Sequence, residues 1–471
     1  QVVNAQQTWR FPPVWRLLAT MTAGLPSPWT HNVICGIIAT ALYRMGTGLY
    51  MMTVLPSFLL LVGGNKFDVG FAEGLQGLAN LVSAMPAGYI ADKWSRRACI
   101  RIGNCLSVLS AGCLLLAVIT AKPKDFVPFV LLCAALALQG VCDGIINGPL
   151  VALMDDSCPA GRRSDVESMN ASVGGVAAAV GPLLGLFVFA ATGNSWSPFS
   201  MKVVIVVGVF LSLIATVPCL LMHDRYALGE SSEAVHLQHN LVESQRLRSD
   251  KSTCFGLVTV PRVRLVMFIN ELILTFGAGM TVKFFPVFFK EEGHIQPVLL
   301  QAVFASLYFL AGIGTLVANR LSKKFGRLQV IICGYCIGIS CTMLLGLLRP
   351  YYTLPAVMLP IFLTRCTCQW SCTPLLGSII ADYTPKATRG RWKALSSISV
   401  AGWSGSAAVG GWLIDQTGFG STFVITGCIQ AFSIPTLCLL LPLVAKESEL
   451  TSDNGRALID SEVSLQETSN G

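Results

Sequence analysis

Apolar residues in this chain run in blocks of about twenty, separated by short polar turns. A helix needs ~20 such residues to cross a hydrocarbon core of ~30 Å. The pattern predicts twelve transmembrane helices, at about 33–62, 69–91, 98–120, 127–152, 168–192, 200–221, 264–289, 297–318, 329–348, 354–380, 393–414 and 422–444. One long polar stretch, 223–262, carries Glu230, Glu233, Glu243, Arg246, Arg248 and Lys251 and divides the spans six and six. The expected organisation is a lead 1–32, a six-helix bundle 33–222, the linker 223–262, a second bundle 263–445 and an acidic, Ser/Thr-rich tail 446–471. That tail has the composition of a disordered segment.

Composition agrees with the pattern. The chain has 471 residues, 53% of them hydrophobic and 12% charged, roughly half the charge of a soluble domain. Its net charge of +8 does not point to nucleic acid, because the basic residues gather in short loops. Loops 93–97, 157–166, 320–327 and 385–393 are basic, while those near 63–68, 121–126, 193–199, 290–296 and 349–353 hold fewer Lys and Arg. The positive-inside rule then puts both termini of a multi-pass membrane protein in the cytoplasm. Plasma and organelle membranes are not distinguished.

The 17 cysteines lie mostly inside spans, including Cys333, Cys336, Cys366, Cys368 and Cys372. None of the five histidines stands beside these cysteines, so they read as small packing groups, and neither a metal nor a cofactor is expected. No phosphate-binding GxxxxGK[ST] loop occurs, which argues against direct ATP drive. Nor are there the clustered histidines or paired carboxylates of a membrane-embedded enzyme.

The halves repeat each other. Span 1 reads Gly46-Thr-Gly48 and then Pro56, and span 7 reads Gly277-Ala-Gly279 and then Pro286. Asp156-Ser-Cys-Pro159 with Arg162 and Arg163 follows span 4; Asp382-Tyr-Thr-Pro385 with Arg389 and Arg391 follows span 10. Between spans 2 and 3 stands Gly88-Tyr-Ile-Ala-Asp92-Lys93-Trp-Ser95-Arg96-Arg97, with a weaker copy from Asn319 to Arg327. This turn resembles the loop between spans 2 and 3 of the major facilitator superfamily of membrane transporters. The resemblance covers about 33–445. It implies two six-helix bundles related by an axis along the membrane normal, with spans 1, 4, 7 and 10 lining a central cavity. It also implies that Asp92 is a conformational latch docking near the start of span 11, at Gly390, Arg391 and Trp392, where the helix dipole favours an anion. Gly88 would let the helices approach, and Lys93, Arg96 and Arg97 would pair with acids and lipid phosphates. Lys323 replaces the acid in the second copy, so the latch would be one-sided.

Span 5, with Gly175, Gly181-Pro182 and Gly185, loosely resembles the proton-coupled drug antiporters. Span 4 departs from them, since Leu136 stands where their Arg precedes the Gln139-Gly140 pair.

Polar residues inside spans are expensive and mark pathways or partners. Gln139, Asp143 and Asn147 recur at one-turn spacing on span 4, beside a small-residue stripe of Gly140, Gly144 and Gly148. Arg44 in span 1 and Asp143 lie at matching depth and read as an ion pair. Arg365, with Gln369 one turn away, reads as the binder of an anionic solute, with Lys283 as a second positive centre. Glu271, beside Asn270, reads as a proton carrier, a role that Asp143 shares. On span 2, Gln76 and Asn80 follow Glu73, which falls near the outer edge, facing water.

The expected function is secondary transport of a small polar or anionic organic solute by alternating access, with proton coupling, in a monomer. The alternatives are proton-linked efflux of lipophilic compounds and a solute sensor on the same fold. The expected partners are the solute, the bilayer and protons.

Overall fold

The structure, a computed structural model, describes residues 29–158, 163–228, 252–253, 258–259, 262–348, 351–383 and 389–444. Most of the lead 1–32 and of the linker 223–262, and all of the tail 446–471, lie outside the described residues, as do the side chains of Asp92 and Arg391.

The membrane-spanning part is all-helical, in two six-helix bundles. Span 1 is His31–Tyr50 continued by Leu55–Gly63, span 2 Lys66–Lys93, span 3 Arg96–Thr120 and span 4 Phe126–Asp156. Span 5 is Arg163–Ala191, and span 6 is Pro198–Ile214 continued by Thr216–Leu221. In the second half span 7 is Val263–Val282 continued by Phe285–Glu291, span 8 Pro297–Phe325 and span 9 Arg327–Leu347. Span 10 is Pro355–Ser371 continued by Thr373–Asp382. Spans 11 and 12 share the stretch Arg389–Ala431, reversed at Gly418, whose φ of 82° and ψ of 170° leave the helical region; Ser433–Cys438 extends span 12. In the linker, Ser252–Thr253 and Val258–Thr259 pair antiparallel.

Length and hydropathy alone would pick out fewer spans than twelve among the described residues. The missing ones have physical reasons. Span 2 carries Lys66, Asp68, Glu73, Gln76 and Asn80 on one helix, span 10 is divided at Cys372, and spans 11 and 12 run on through Gly418 as one stretch.

The internal repeat is visible in the packing. Span 1 breaks at 51–54 before Pro56, and span 7 breaks at 283–284 before Pro286. A Cβ on Gly46 would meet the backbone of span 6 at Ser212, and one on Gly48 that of span 5 at Ala178. Their counterparts Gly277 and Gly279 face Gln430 of span 12 and Trp403 of span 11. Small residues let membrane helices come this close, and the same two neighbours are met in each half. Between halves, span 2 packs on span 11 and span 5 on span 8.

Two apolar centres anchor the second half. Phe285, Phe288 and Phe289 of span 7 cluster with Phe362, Phe419 and Phe423, their ring centroids 4.6–6.3 Å apart, within the range of favourable aromatic pairs. Nearer the basic loops, Val263, Met267, Ile331, Tyr335, Ile379 and Leu440 form the other centre.

Candidate functional site

The two ends of the molecule differ. At the end away from the basic loops the halves are bonded together. Lys66 Nζ lies 3.2 Å from Glu291 and 3.9 Å from Asp415. The Asp415 carboxylate also accepts the backbone N–H groups of Lys66, at 3.0 Å, and Phe67, at 2.9 Å. An acid from span 11 thus caps the N-terminus of span 2, where orphan N–H groups and the helix dipole favour an anion. Asn194 donates to Gln296 at 2.6 Å, Trp196 to the Ile295 carbonyl at 2.8 Å and Gln301 to Thr53 at 3.1 Å. Deeper in, Lys283 donates to Glu73 at 2.7 Å across the halves.

Toward the basic end this contact fades. A Cβ on Gly70 would meet the Ala407 carbonyl at 2.1 Å, and one on Gly77 would meet Ser404 at 2.2 Å, but Gly88 has nothing within 4 Å. Gly148 and Gly175 are equally open, and Asn147 is exposed. In this conformation Gly88 therefore serves no close approach, contrary to the expectation for it. Gly140 and Gly144 do pack on span 2, against Gln76 and Asn80, so two of the three glycines of the span 4 stripe act as expected.

Below the sealed end lies a cavity of about 370 Å³ between the halves. Gln76, Asn80 and Asp143 line it from the first half; Glu271, Thr275, Lys283, Ser399 and Trp403 line it from the second. The Asp143 carboxylate accepts the Tyr43 hydroxyl at 2.7 Å, and Gln139 reaches the same hydroxyl at 3.4 Å. Glu271 is half-buried and forms no ion pair among the described residues. Its neighbour Asn270 turns away, donating to the Ser433 carbonyl at 2.8 Å and to Thr436 at 2.9 Å, and ties span 7 to span 12.

Several expected site residues stand elsewhere. Arg44 does not pair with Asp143. It is exposed, and its side chain lies against Gly174 of span 5. Depth matched, but successive helical residues point ~100° apart, and it is Tyr43 that faces span 4. Arg365 is fully buried and is not part of the cavity lining. Its guanidinium lies 5.2 Å from the Phe285 ring centroid and donates to Thr342 at 3.2 Å and Cys366 at 3.5 Å. Cation–π attraction in a desolvated setting offsets part of the burial cost. Gln369 is buried too and reaches Gln430 at 3.4 Å. Glu73 does not face water: it is 0% exposed and neutralises Lys283, so Lys283 is not a free positive centre.

The basic turn docks within its own half. Arg96 pairs with Asp156 and donates to the Ala152 carbonyl at 2.8 Å. Ser95 donates to Asp224 at 2.6 Å, and the Arg97 backbone N–H reaches the same carboxylate at 3.2 Å. The Arg97 guanidinium meets His223. Burial and the neighbouring Arg97 and Arg225 hold His223 below its ordinary pKa. Lys93 is exposed, with its ammonium 5.7 Å from the Tyr89 ring. The latch contact between Asp92 and Arg391 lies outside the described side chains.

Tyr43, Ser399, Trp403 and Thr275 were missed in the sequence. Tyr43 had a usable signal, a hydroxyl in mid-span within one turn of Gly46. Ser399 and Trp403 had none, because the placement of span 11 against spans 2 and 7 is a tertiary matter.

Solved structures share this architecture. A partially occluded, inward-open xylose transporter XylE from E. coli superposes with a TM-score of 0.62 at 14% identity, over 88% of this chain and 99% of the other. A POT family transporter in complex with 5-aminolevulinic acid gives 0.65 at 13%, over 88% and 97%. A D-xylose–proton symporter gives 0.63 at 15%, over 88% and 98%. No curated protein sequence matches the chain. The Major Facilitator Superfamily model matches residues 36–391 and 267–465. With the paired bundles, the repeated glycine contacts and the cavity between the halves, this match makes the chain a member of the Major Facilitator Superfamily.

Proposed function

We propose that this protein is a secondary transporter that moves a small polar solute by alternating access, coupled to protons. The observation that carries the reading is the cavity of about 370 Å³ lined by polar groups of both halves, closed at one end by bonds between those halves. A cavity between rocking halves is the geometry that such transport uses. The conformation is inward-facing, with the basic end and both termini in the cytoplasm, in keeping with the positive-inside rule. Two neighbours are described as inward-open or partially occluded inward-open xylose transporters and another as a xylose–proton symporter. We assign proton coupling to Glu271 and Asp143 because both carboxylates line the cavity. The anionic solute expected from Arg365 loses its support, because that side chain is buried among Phe285, Thr342 and Cys366. Asp92 is proposed as a conformational latch, docking near the start of span 11, where the helix dipole favours an anion.

The test is flux. The purified protein, reconstituted in proteoliposomes, is offered labelled metabolite pools with and without a pH gradient. Saturable uptake accelerated by the gradient is expected, and Glu271→Gln should remove the gradient response. No uptake from any pool, by protein shown to be folded by its thermal transition, would refute transport.

A further inference from the structure

The charge balance of the cavity narrows the class of solute, given the reading above that this cavity is the transport site. Its ionisable lining comprises Asp143 from the first half and Glu271 and Lys283 from the second. Lys283 is cancelled by Glu73, 2.7 Å away and fully buried. Asp143 is met by the Tyr43 hydroxyl at 2.7 Å, which supports its charge without neutralising it. Glu271 has no ion-pair partner among the described residues. Arg44 packs on span 5 and Arg365 sits among aromatic rings, both outside the lining. The cavity is thus left with two uncompensated carboxylates, one on each half.

A second observation is independent of charge. Ser399 is 4% exposed and lines the same cavity beside Glu271, whose charge its side chain supports, and its Oγ makes no close hydrogen bond among the described residues. Buried hydroxyls are almost always hydrogen-bonded, and a hydroxyl that leans on a carboxylate keeps its own oxygen free to accept, so this one has capacity left for a donor supplied from outside the chain. Trp403, also in the lining, brings an indole, whose face attracts cations.

We propose that the cavity binds a solute bearing a protonated amine, held by Asp143 and Glu271 from opposite halves and by the Ser399 hydroxyl. An ammonium offers three donors and no acceptor. Two carboxylates and a hydroxyl oxygen offer the matching acceptors. A carboxylate or phosphate solute would instead meet two like charges in a partly desolvated space, where repulsion is strong. Because the two acids ride on different halves, a bound cation also ties those halves together at mid-membrane, while the empty site repels them.

The field of the cavity can be read without knowing the solute. Thr275→Cys places a thiol in the lining of the full-length protein. It is reacted with methanethiosulfonates of similar size, one ending in ethylammonium and one in ethylsulfonate. Rates are followed by the mass of the peptide carrying residue 275 and normalised to a free thiol, so the ionisation of the thiol cancels in their ratio. The cationic reagent is expected to react about tenfold faster or more. Adding Asp143→Asn and Glu271→Gln should bring the ratio close to one. A ratio at or below one in the Thr275→Cys protein overturns the proposal, as does a ratio that ignores both substitutions. In the flux assay, with pools divided into amines, carboxylates and neutral polyols, uptake is expected from the amines. Uptake confined to the other pools overturns the amine assignment and leaves transport standing. A cationic preference at residue 275 in a protein that moves no pool leaves the cation site standing and overturns transport.

Discussion

Lys283→Met removes the cation that Glu73 meets across the two halves, and the structure allows the consequence to be sized. The ion pair is 2.7 Å long, and the Glu73 side chain is 0% exposed against 10% for Lys283. Breaking a buried pair by removing one partner costs about 3–5 kcal/mol, because the other charge is stranded. The two directions are not equal here. Lys283 borders the cavity, so on losing Glu73 its long side chain can turn its ammonium toward water; Glu73→Gln should cost about 1–2 kcal/mol. Glu73 has no such outlet, and its Oε1 already lacks a hydrogen-bond partner. Lys283→Met should therefore cost the full amount. The loss falls on the sealed conformation, where the halves touch, so about 3 kcal/mol would raise the open-to-sealed ratio at that end about a hundredfold. Ala408→Cys, at the seam where span 11 meets Gly70 of span 2, reports that opening through its reaction with an impermeant maleimide. Labelling should quicken strongly in Lys283→Met, less in Glu73→Gln, and return toward the parent rate when both are changed, because no charge is then stranded. Simple additivity of the two changes, or equal labelling in all variants, would refute the claim that this pair holds the halves together.

Three further outcomes are expected. Gly70→Ala should destabilise the protein by about 1–3 kcal/mol through overpacking against the Ala407 carbonyl; Gly88→Ala, with open space around it, should be neutral or stabilising by up to about 1 kcal/mol. Thermal melting of both variants checks the contrast. Arg365→Lys should lower the melting temperature, since an ammonium cannot stack on Phe285 and reach Thr342 as a guanidinium does, but should leave the KM of the transported solute unchanged; a raised KM would return Arg365 to the binding site. His223 is held below its ordinary value of 6.5, so its neutral form is favoured in the fold. Its contribution to stability is then present above that value and is lost as pH falls through it toward the lower folded value. Melting curves across that window should show the acid loss in the parent and a smaller one in His223→Gln.

The architecture was legible in the sequence because the bilayer imposes it. A chain in hydrocarbon must satisfy every backbone group internally, so spans must be helical and about twenty residues long, and hydropathy marks them. The repeat was legible as well. Gly46 and Gly48 recur as Gly277 and Gly279 because the same close approaches recur in each half, and small residues are what those approaches require. Asp143 and Glu271 were recognisable as cavity residues for a related reason, since an intramembrane charge needs either a cavity or a partner.

Which of the two each charge received was decided only by the tertiary structure. By sequence Arg44 read as the partner of Asp143, Glu73 as facing water, and Lys283 and Arg365 as positive centres for an anionic solute. One packs on span 5, two neutralise each other and one is enclosed by Phe285, Thr342 and Cys366. Sequence spacing gives depth along a helix axis, but the direction in which a side chain points is set by the rotation of that helix against its neighbours. That rotation comes from packing over the whole bundle, including the contacts of span 2 with span 11 that join residues about 340 positions apart. The charge of the cavity follows from that rotation.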